Sequence, residues 1–391
     1  MSETFDVVIV GGAVIGSAAA YFLSGAPGFS GSVLVLERDL SFRDCATARS
    51  LASIRHQFST PENIRMSMFG TEFLRRPELL AVDGDVPAIG LREDGYLFLA
   101  SPAGQEQLAR NHALQRAEGA EIAWLDASGL AQRFGWLATD DLAAGTLGVR
   151  GEGWLDAHAL MHGLRRKAVS RGVRVREATV VALERQGSRI AAVCLADGTR
   201  IGCGTVINAT GTGARALAAS AGLDLPVHAK KRCVFHFRSP ASLPGCPLVI
   251  DPSGLYFRPE GSGFLCGIAP PAEDDPDSDD FDVPPEMFET QLWPLLAARV
   301  PAFEAARLHS AWAGHYDVNL LDHNVILGPH PDIGNLLFAN GFSGHGVQQA
   351  PAVGRALSEW VAFGGYRSLD LSAFGWQRVL EGRPLLELNV V

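Results

Sequence analysis

Two glycine-rich stretches of this chain have the residue types that bind an anionic group through the backbone. The first, GGAVIG, contains Gly11, Gly12 and Gly16, and the second, GFSGHGVQQAP, begins at Gly341. Glycine loses the most conformational freedom on folding, so clusters of it are expected where the backbone turns sharply or closely approaches another group. Amides at the start of a helix stabilise negative charge. Each stretch therefore predicts a loop that precedes a helix, with Pro351 in the first turn of the second helix.

The elements around the first stretch have the order of a dinucleotide-binding βαβ unit. The apolar run Val7–Val10 predicts a strand buried on both faces, and a second apolar strand ends at Glu37. In this layout the helix amides meet a pyrophosphate, and the acidic residue accepts hydrogen bonds from ribose hydroxyls. Ala13 stands at the middle glycine of the GxGxxG spacing, where its methyl group displaces the pyrophosphate slightly, and Glu37 disfavours a 2′-phosphate.

Further along the chain, two more apolar segments end in turn residues. GTVINATGTGAR (204–215) predicts a strand that ends in Ala-Thr-Gly, and NLLFAN (335–340) predicts a buried strand before the second glycine stretch. Ahead of the first lie a predicted helix, Asp156–Arg171, and two strand-like pieces that predict a hairpin or a small sheet inserted in the dinucleotide fold. A nicotinamide-dependent dehydrogenase, which is the other interpretation of GGAVIG, leaves both segments unexplained. The pattern therefore favours FAD.

Five motifs taken together carry a family resemblance that spans the whole chain in order. GGAVIG, VLERD, ATARSLASIRH, VINATG and NGFSGHG resemble the D-amino-acid oxidase superfamily of FAD-dependent oxidoreductases, in particular its glycine oxidase, sarcosine oxidase and dimethylglycine dehydrogenase branch. The resemblance implies an α/β fold in which a Rossmann-type FAD-binding domain is built from discontinuous segments. An α+β substrate domain with an antiparallel sheet, here called the roof, covers the flavin. The implied division is 1–77, 150–225 and 322–391 for the FAD domain and 78–149 and 226–321 for the roof.

The resemblance also implies how FAD is held. Sarcosine oxidase attaches FAD through a cysteine at a position that corresponds to about His315, and dimethylglycine dehydrogenase through a histidine where this chain has Arg49. We therefore expect noncovalent FAD. The implied cofactor-binding residues are Gly11, Ala13, Val14, Ile15, Gly16, Glu37, Arg38, Thr47, Ala48, Arg49, Ser50, Ala52, Val180, Ala209, Thr210, Gly211, Gly344, His345, Gly346 and Val347.

The implied catalytic residues are Arg55, Tyr256, Arg258, His345 and Gln348. Arg55 falls where sarcosine oxidase has an arginine that binds the substrate carboxylate, and a guanidinium matches the planar fork of a carboxylate. Tyr256 resembles the roof tyrosine of the same enzymes. Arg258 lies two residues further on the same strand face, as a second candidate anion anchor. The alternatives are a salt-bridged surface position for Arg55 and structural roles for Arg258 and His345.

Two departures from the family pattern bear on the reaction. Glycine oxidases have a carboxylate-binding arginine where WAGHYDVN has Tyr316, so a glycine-oxidase-like substrate pose is not expected. Sarcosine oxidase has a lysine, which assists oxygen, where this chain has Gln348. Either oxygen is not the natural acceptor, or another cation, from Arg49, Arg55 or His345, replaces that lysine.

The predicted function is oxidation of the C–N bond of a small amine or N-alkyl amino acid by hydride transfer to flavin N5. The electrons pass to oxygen or to an electron-acceptor protein. The alternative is a non-catalytic FAD-binding assembly or interaction protein of the same fold.

Composition excludes several other classes. The net charge of −10 and the pI near 5.6 argue against a nucleic-acid partner. Six scattered cysteines without a CxxC pair indicate reduced thiols and a cytoplasmic protein. The longest apolar run, Val7–Leu23, contains glycines and has a strand-like first half, so no membrane span is expected. No metal site is expected, because His158 and His162 have helical spacing but lack an evident third ligand.

The acidic charge is concentrated in one stretch. Pro270–Glu286 contains eight carboxylates and no basic residue, and it lacks the spacing of a calcium loop. A solvated loop is the simpler interpretation. The other is a docking surface for a basic partner, such as an electron acceptor.

Overall fold

The structure is a computed structural model that describes residues 3–271 and 274–388. The α-helices in this part of the chain are α1 Val14–Ser24, α2 Pro61–Leu74, α3 Gln105–Ala117, α4 Ala127–Arg133, α5 Ala157–Ser170, α6 Ala214–Ser220, α7 Trp293–Arg299, α8 Gly346–Phe363 and α9 Trp376–Leu380. The strands are β1 Thr4–Val10, β2 Val33–Glu37, β3 Ser53–Ile54, β4 Tyr96–Ala100, β5 Ile122–Asp126, β6 Ala144–Gly148, β7 Gly153–Trp154, β8 Arg174–Glu177, β9 Val180–Gln186, β10 Arg189–Leu195, β11 Arg200–Asn208, β12 Val227–Arg238, β13 Leu248–Ile250, β14 Leu255–Glu260, β15 Gly263–Ile268, β16 Arg307–Asn319, β17 Ile326–His330 and β18 Ile333–Asn340.

The first sheet is built around the predicted βαβ unit. Its strand order is β17-β18-β11-β1-β2-β8, and β1 pairs in parallel with both β2 and β11. Alternate side chains of β1 face opposite cores: Val7 and Ile9 pack with α1, α5 and α8, whereas Val8 and Val10 pack with β9, β10 and α6. Burial of both faces explains the unbroken apolar run of this strand. The predicted hairpin is confirmed, since β9 pairs antiparallel with β10, which continues onto β11.

The second sheet is the roof. Its order is β16-β12-β15-β14-β13-β4-β6-β5, and its pairs are antiparallel except for the parallel pair of β4 with β13. The long pair of β12 with β16 runs from Val227 opposite Asn319 to Arg238 opposite Arg307. The two sheets match the predicted fold class, a Rossmann-type domain with a roof.

The strands of the two sheets come from separate stretches of sequence. The first sheet draws on residues 4–37, 174–208 and 326–340, and the roof on 96–148 and 227–319. This segregation supports the division of the chain into three cofactor segments and two roof segments, which we keep as a proposal. None of the helices in residues 3–271 and 274–388 combines the length and apolar character that a membrane crossing needs.

Candidate active site

The carboxyl ends of β1 and β11 meet at the first glycine stretch. Gly11 has φ +97°, and a Cβ atom there would lie 2.3 Å from the carbonyl oxygen of Ala209. A Cβ at Gly16 would lie 1.8 Å from the carbonyl oxygen of Gly11. Only glycine allows the turn, the neighbouring strand and the helix to approach this closely.

The start of α1 is open to an anion. Its N-cap, Ala13, makes no side-chain capping bond, and the first turn has no acidic residue. Thr47 Oγ1 lies 3.3 Å from the Val14 nitrogen, and Glu37 Oε2 accepts a 2.7 Å hydrogen bond from Gly12 N–H at the end of β2. Amides at the start of a helix beside a carboxylate are the donor and acceptor set that a pyrophosphate and a ribose require. These residues fit a dinucleotide cofactor.

The other predicted cofactor residues lie on five segments of the chain. Arg38 is exposed just after β2, Val180 begins β9, and Thr210 and Gly211 follow β11. The remaining ones are in the loop of residues 47–52 and at the start of α8. Contacts between these residues and FAD stay a prediction.

The loop of residues 46–52 is fixed to the roof through Arg49. Its Nη1 donates to the Ala313 carbonyl at 2.8 Å, its Nη2 pairs with Asp44 at 2.6 Å, and its own carbonyl accepts from Trp312 Nε1 at 3.1 Å. Since Ala313 and Trp312 belong to β16, these contacts fix the position of the loop relative to the roof.

A cleft with about 300 Å³ of empty space, part of it open to solvent, lies between this loop and the roof. It is lined by Ala46, Arg49, Ser50, Leu51, Arg232, Val234, Tyr256, Gly314, His315 and Tyr316. The predicted residues Arg49, Ser50 and Tyr256 therefore line a common cleft, together with Tyr316 and Arg232.

Arg55 follows the short strand β3 and is 7% exposed. Its Nη1 donates to the Gln57 carbonyl at 2.9 Å, its Nη2 lies 3.1 Å from His345 Nε2, and the guanidinium carbon lies 4.3 Å from the centre of the Phe58 ring. None of the ion pairs in the described residues includes Arg55. Its direct contacts are therefore with neutral groups, and a buried charge without an ion pair is unfavourable unless a ligand supplies an anion.

His345, the N-cap of α8, is a neutral acceptor for Arg55. Loss of hydration and the nearby Arg55 charge lower the pKa of His345 to about 3. Because a guanidinium can only donate, His345 Nε2 must accept, and the ring proton sits on Nδ1. His345 is therefore excluded as the cation that replaces the family lysine at neutral pH.

Gln348 is buried in the first turn of α8. Its Oε1 accepts a 2.8 Å hydrogen bond from the backbone N–H of Arg55. Gln348 was predicted to affect the reaction with oxygen. Its hydrogen bond also fixes the backbone of Arg55, the candidate carboxylate anchor. Pro351 was expected in the first turn, but the helix already begins at Gly346, so the proline lies inside α8.

Arg258 is 5% exposed, yet its charge is paired. It contacts the Glu260 carboxylate, donates to the Pro259 carbonyl at 2.9 Å and lies 3.2 Å from the Leu51 carbonyl. Its Nε has no partner among the described residues. These contacts favour a structural role, in which Arg258 joins β14 to the cleft loop.

Tyr256 and Tyr316 line the cleft, and a third enclosed tyrosine is Tyr96. Loss of hydration raises the pKa values of Tyr256 and Tyr316, and raises that of Tyr96 to about 12. Tyr256 packs over Gly267 on the paired strand, and the Tyr316 ring occupies the space beside Gly344. All three phenols are protonated at neutral pH, so they act as hydrogen-bonding and apolar surfaces rather than as bases.

Two carboxylates that were not predicted support this site. Asp317 Oδ2 accepts from Gly341 N–H at 2.8 Å, and burial raises the pKa of Asp317 to about 6. Glu152 Oε1 accepts from His56 N–H at 2.5 Å, and its Oε2 accepts from Gln57 Nε2 at 2.7 Å. Glu152 lies in no motif, and Asp317 lies in WAGHYDVN, where sequence reasoning assigned it no role, because each carboxylate acts on a loop elsewhere in the sequence.

His56 and His315 do not have the surroundings of catalytic bases. His56 Nε2 lies 2.8 Å from Thr71 Oγ1, which itself lies 3.1 Å from the Gly151 carbonyl, and burial lowers the pKa of His56 to about 4. His315 packs edge-on against Phe281, and burial lowers its pKa also. The four-residue spacing of His158 and His162 brings their rings together, but the described residues contain no group of three metal-ligating side chains.

The acidic stretch is tied to the roof. Asp275 forms a two-point pair with Arg232 at 2.7 and 2.8 Å, Asp277 pairs with Lys230 at 2.9 Å, and Asp280 with Lys231 at 2.6 Å. Ala272 and Glu273 of this stretch lie outside the described residues. Part of its charge is thus neutralised within the chain, and its role as a docking surface stays a prediction.

Known proteins resemble this chain over most of its length. The family model described as FAD dependent oxidoreductase matches residues 6–360. FAD-dependent oxidoreductase domain-containing protein 1 of Xenopus laevis is 40% identical over 100% of this chain and 85% of its own length. The 4-methylaminobutanoate oxidase (formaldehyde-forming) of Paenarthrobacter nicotinovorans is 28% identical over 95% of this chain and 45% of its own. Among solved structures, L-proline dehydrogenase from P. horikoshii superposes with a TM-score of 0.85 at 23% identity, over 98% of this chain and 100% of that one.

Proposed function

Because this chain belongs to the family of FAD-dependent oxidoreductases, we propose that it oxidises a small secondary or tertiary amine that carries a carboxylate. Family membership confirms the resemblance, the FAD cofactor and the enzyme class that the sequence motifs predicted. An N-alkyl amino acid is the substrate class that we favour. Oxidation of its C–N bond gives an imine, which water hydrolyses.

The observation that carries this proposal is the unpaired charge of Arg55. A buried guanidinium without an anion has lost its hydration and received no ion pair in return. A substrate carboxylate supplies both the missing charge and a planar acceptor. Phe58 and Phe98, whose ring centres lie 4.3 and 5.2 Å from the guanidinium carbon, limit its movement. Arg55 would therefore fix the substrate by one end.

The remaining residues would position the amine and exclude water. FAD supplies the acceptor position for the hydride, at N5. The glycine turn, the start of α1 and Glu37 would hold its nucleotide half, and the backbone from Gly344 to Val347 would lie at its ring. The Tyr256 and Tyr316 rings would enclose the substrate carbon. The Arg49 and Arg232 guanidiniums of the same cleft would favour a neutral amine, since a nearby like charge disfavours its protonated form.

One relative supports the substrate class. The enzyme from P. nicotinovorans is named for an amino acid with a methylated nitrogen, and it matches 95% of this chain. That enzyme is about twice as long as its matched region, so the comparison supports the chemical class of the substrate and nothing more specific.

For the electron acceptor, we propose a protein or another oxidant in preference to oxygen. Gln348 is neutral and its oxygen is used by the Arg55 backbone, and His345 is neutral as well. Arg49 is paired with Asp44, which leaves Arg55 as the unpaired cation of the three candidates. A substrate carboxylate on Arg55 would neutralise that charge too. We also keep the proposal of a cytoplasmic location, which rests on six unpaired cysteines.

Anaerobic mixing of the holoprotein with matched amines tests the proposal. N-Methylglycine and N-methylethylamine have the same secondary amine, but only the first has a carboxylate. We expect loss of flavin absorbance to be about 100-fold faster with N-methylglycine at equal low concentration, because a buried ionic contact contributes about 2–5 kcal/mol. Equal rates would contradict a role for a carboxylate anchor. If no amine or amino acid in a broad panel reduces the flavin, the non-catalytic alternative is favoured.

A further inference from the structure

We propose that Glu152 takes up a proton when a carboxylate binds Arg55, so that these two buried residues form one proton-coupled anion site. The inference rests on the proposed function, because it takes Arg55 as the carboxylate anchor. It adds a positioning residue whose ionisation depends on whether the anchor is occupied.

Glu152 is enclosed by the loop that carries Arg55. It is 1% exposed, and both carboxylate oxygens accept hydrogen bonds from that loop, from His56 N–H and from the Gln57 side chain. A Cβ at Gly148 would lie 1.8 Å from Glu152 Oε2, so the carboxylate fills space that only glycine leaves. None of the ion pairs formed by residues 3–271 and 274–388 includes Glu152.

Gln57 connects the two charges. Its Oε1 accepts from Thr146 Oγ1 at 2.6 Å, and its Nε2 donates to the Tyr96 carbonyl at 2.9 Å and to Glu152. These partners fix the orientation of the Gln57 amide, because the reverse orientation would place its side-chain oxygen against the Tyr96 carbonyl oxygen. The Gln57 backbone carbonyl accepts from Arg55 Nη1. A single residue therefore touches both the guanidinium and the carboxylate.

The groups that face Glu152 leave Arg55 as its compensating charge. Burial raises the pKa of Glu152 to about 7, while the hydrogen bonds from Gln57 and His56 and the charge of Arg55 lower it. Tyr96 is a neutral phenol and His56 a neutral imidazole. Arg75 is paired with Glu93, which accepts from the Gly151 amide.

Binding of a carboxylate to Arg55 changes this balance. In the free site, the positive charge of Arg55 offsets the negative charge of Glu152 across a low-dielectric interior. The bound carboxylate neutralises Arg55, so ionised Glu152 loses that support and its pKa rises. Glu152 then takes a proton from water, and no bond of the ligand changes.

The sign of the pH dependence follows from this linkage. The group has a higher pKa in the complex than in the free protein, so binding takes up protons between the two pKa values. Carboxylate affinity is therefore greatest below pH 7 and falls as the pH rises to the pKa of the complex. If binding raises the pKa of Glu152 by one unit, affinity for the carboxylate falls about tenfold between the two pKa values.

The test uses the FAD-bound protein and acetate, with acetamide as the neutral isostere. Calorimetric titrations at about pH 7.5 in two buffers of different ionisation heat give the number of protons taken up. We expect uptake of roughly half a proton per acetate in the wild type and none in Glu152→Gln. Glu93→Gln is the control, because it changes a carboxylate already paired with Arg75, and it should take up the same amount as the wild type. Infrared difference spectra of the wild type should show a new protonated carboxylic acid band on acetate binding.

Each result separates this inference from the proposed function. Acetate binding without proton uptake, or equal uptake in Glu152→Gln, would overturn the coupling and leave Arg55 as the anchor. Absence of acetate binding at every pH would overturn the anchor and with it the coupling. If Glu152→Gln does not fold, the wild-type calorimetry and the infrared band still decide the outcome.

Discussion

Two buried arginines, Arg55 and Arg258, have opposite electrostatic surroundings. Arg258, on roof strand β14, is 5% exposed and contacts the Glu260 carboxylate. Arg55, after β3, is 7% exposed and contacts a carbonyl, a neutral imidazole and aromatic rings. Residue type and burial are the same, so neither property identifies an anion anchor. The absence of a direct ion pair distinguishes Arg55, and we expect binding and stability to separate the two residues.

The largest expected effect is on anion binding. Arg55→Met should weaken acetate binding to the FAD-bound protein about 100-fold, because the bound carboxylate loses its buried ionic partner. Arg258→Met is the matched control and should change the dissociation constant by less than about threefold. Flavin absorbance measures both constants and verifies that FAD is retained. Equal losses in the two variants would mean that the paired arginine also serves as an anchor.

An intermediate effect is expected at Gln348. Gln348→Ala leaves the buried Arg55 N–H without an acceptor, which costs about 1–3 kcal/mol, and it loosens the backbone that carries the guanidinium. Acetate binding should weaken about tenfold while FAD remains bound. The neighbouring Gln349, whose side chain bonds Asn63 at 2.8 Å, provides the control. If Gln349→Ala weakens binding as much as Gln348→Ala, the effect is a general loss of packing in α8.

The same glutamine offers a test of the acceptor. Gln348→Lys introduces a cation where sarcosine oxidase has a lysine, and it removes the acceptor of the Arg55 N–H. We expect faster reoxidation of reduced flavin by oxygen together with weaker acetate binding. Rapid reoxidation of the wild type by oxygen would contradict the proposed preference for another acceptor.

A smaller effect is expected on stability, where Arg258→Met should lose more than Arg55→Met. Arg258→Met should lower the melting temperature by about 2–4 °C, since it removes a partly exposed ion pair and a bond to the Leu51 carbonyl. Arg55→Met removes an unpaired buried charge, so its melting temperature should be unchanged or higher. Thermal unfolding of the ligand-free FAD complexes measures both. A large loss of stability in Arg55→Met would show that its charge is already compensated.

The smallest effect is expected at His345. Its pKa of about 3 means that it carries no charge between pH 5 and 7. His345→Gln, which keeps an acceptor for Arg55, should change acetate binding less than about twofold. A change in affinity near pH 6 that disappears in His345→Gln would show a charged histidine. A change that persists would instead indicate Asp317, whose pKa of about 6 lies in the same range.

Sequence reasoning located parts of the site with unequal success. The glycine turn, Glu37 and the start of α8 were predicted from local spacing, and their contacts with FAD stay a prediction. The resemblance predicted Arg55 as a carboxylate anchor, but it did not predict that Arg55 forms no direct ion pair. Pro351 was placed too early in its helix, because a proline within a helix and one at its start leave similar sequence patterns. Asp317 and Glu152 were missed, since a buried carboxylate that holds a distant loop has no motif.

The sequence by itself determined the cofactor half of this protein. A positive φ at Gly11 and the close approach of Gly16 to the Gly11 carbonyl are local demands that glycine meets, so the spacing of the glycines predicts the turn from sequence alone. Only the tertiary structure decided which arginine lacks a direct ion pair. The partner of Arg55 on α8 is 290 residues away, and Arg258 meets Leu51 across 207 residues. Electrostatic compensation depends on distances through the folded interior, and a linear pattern does not contain those distances.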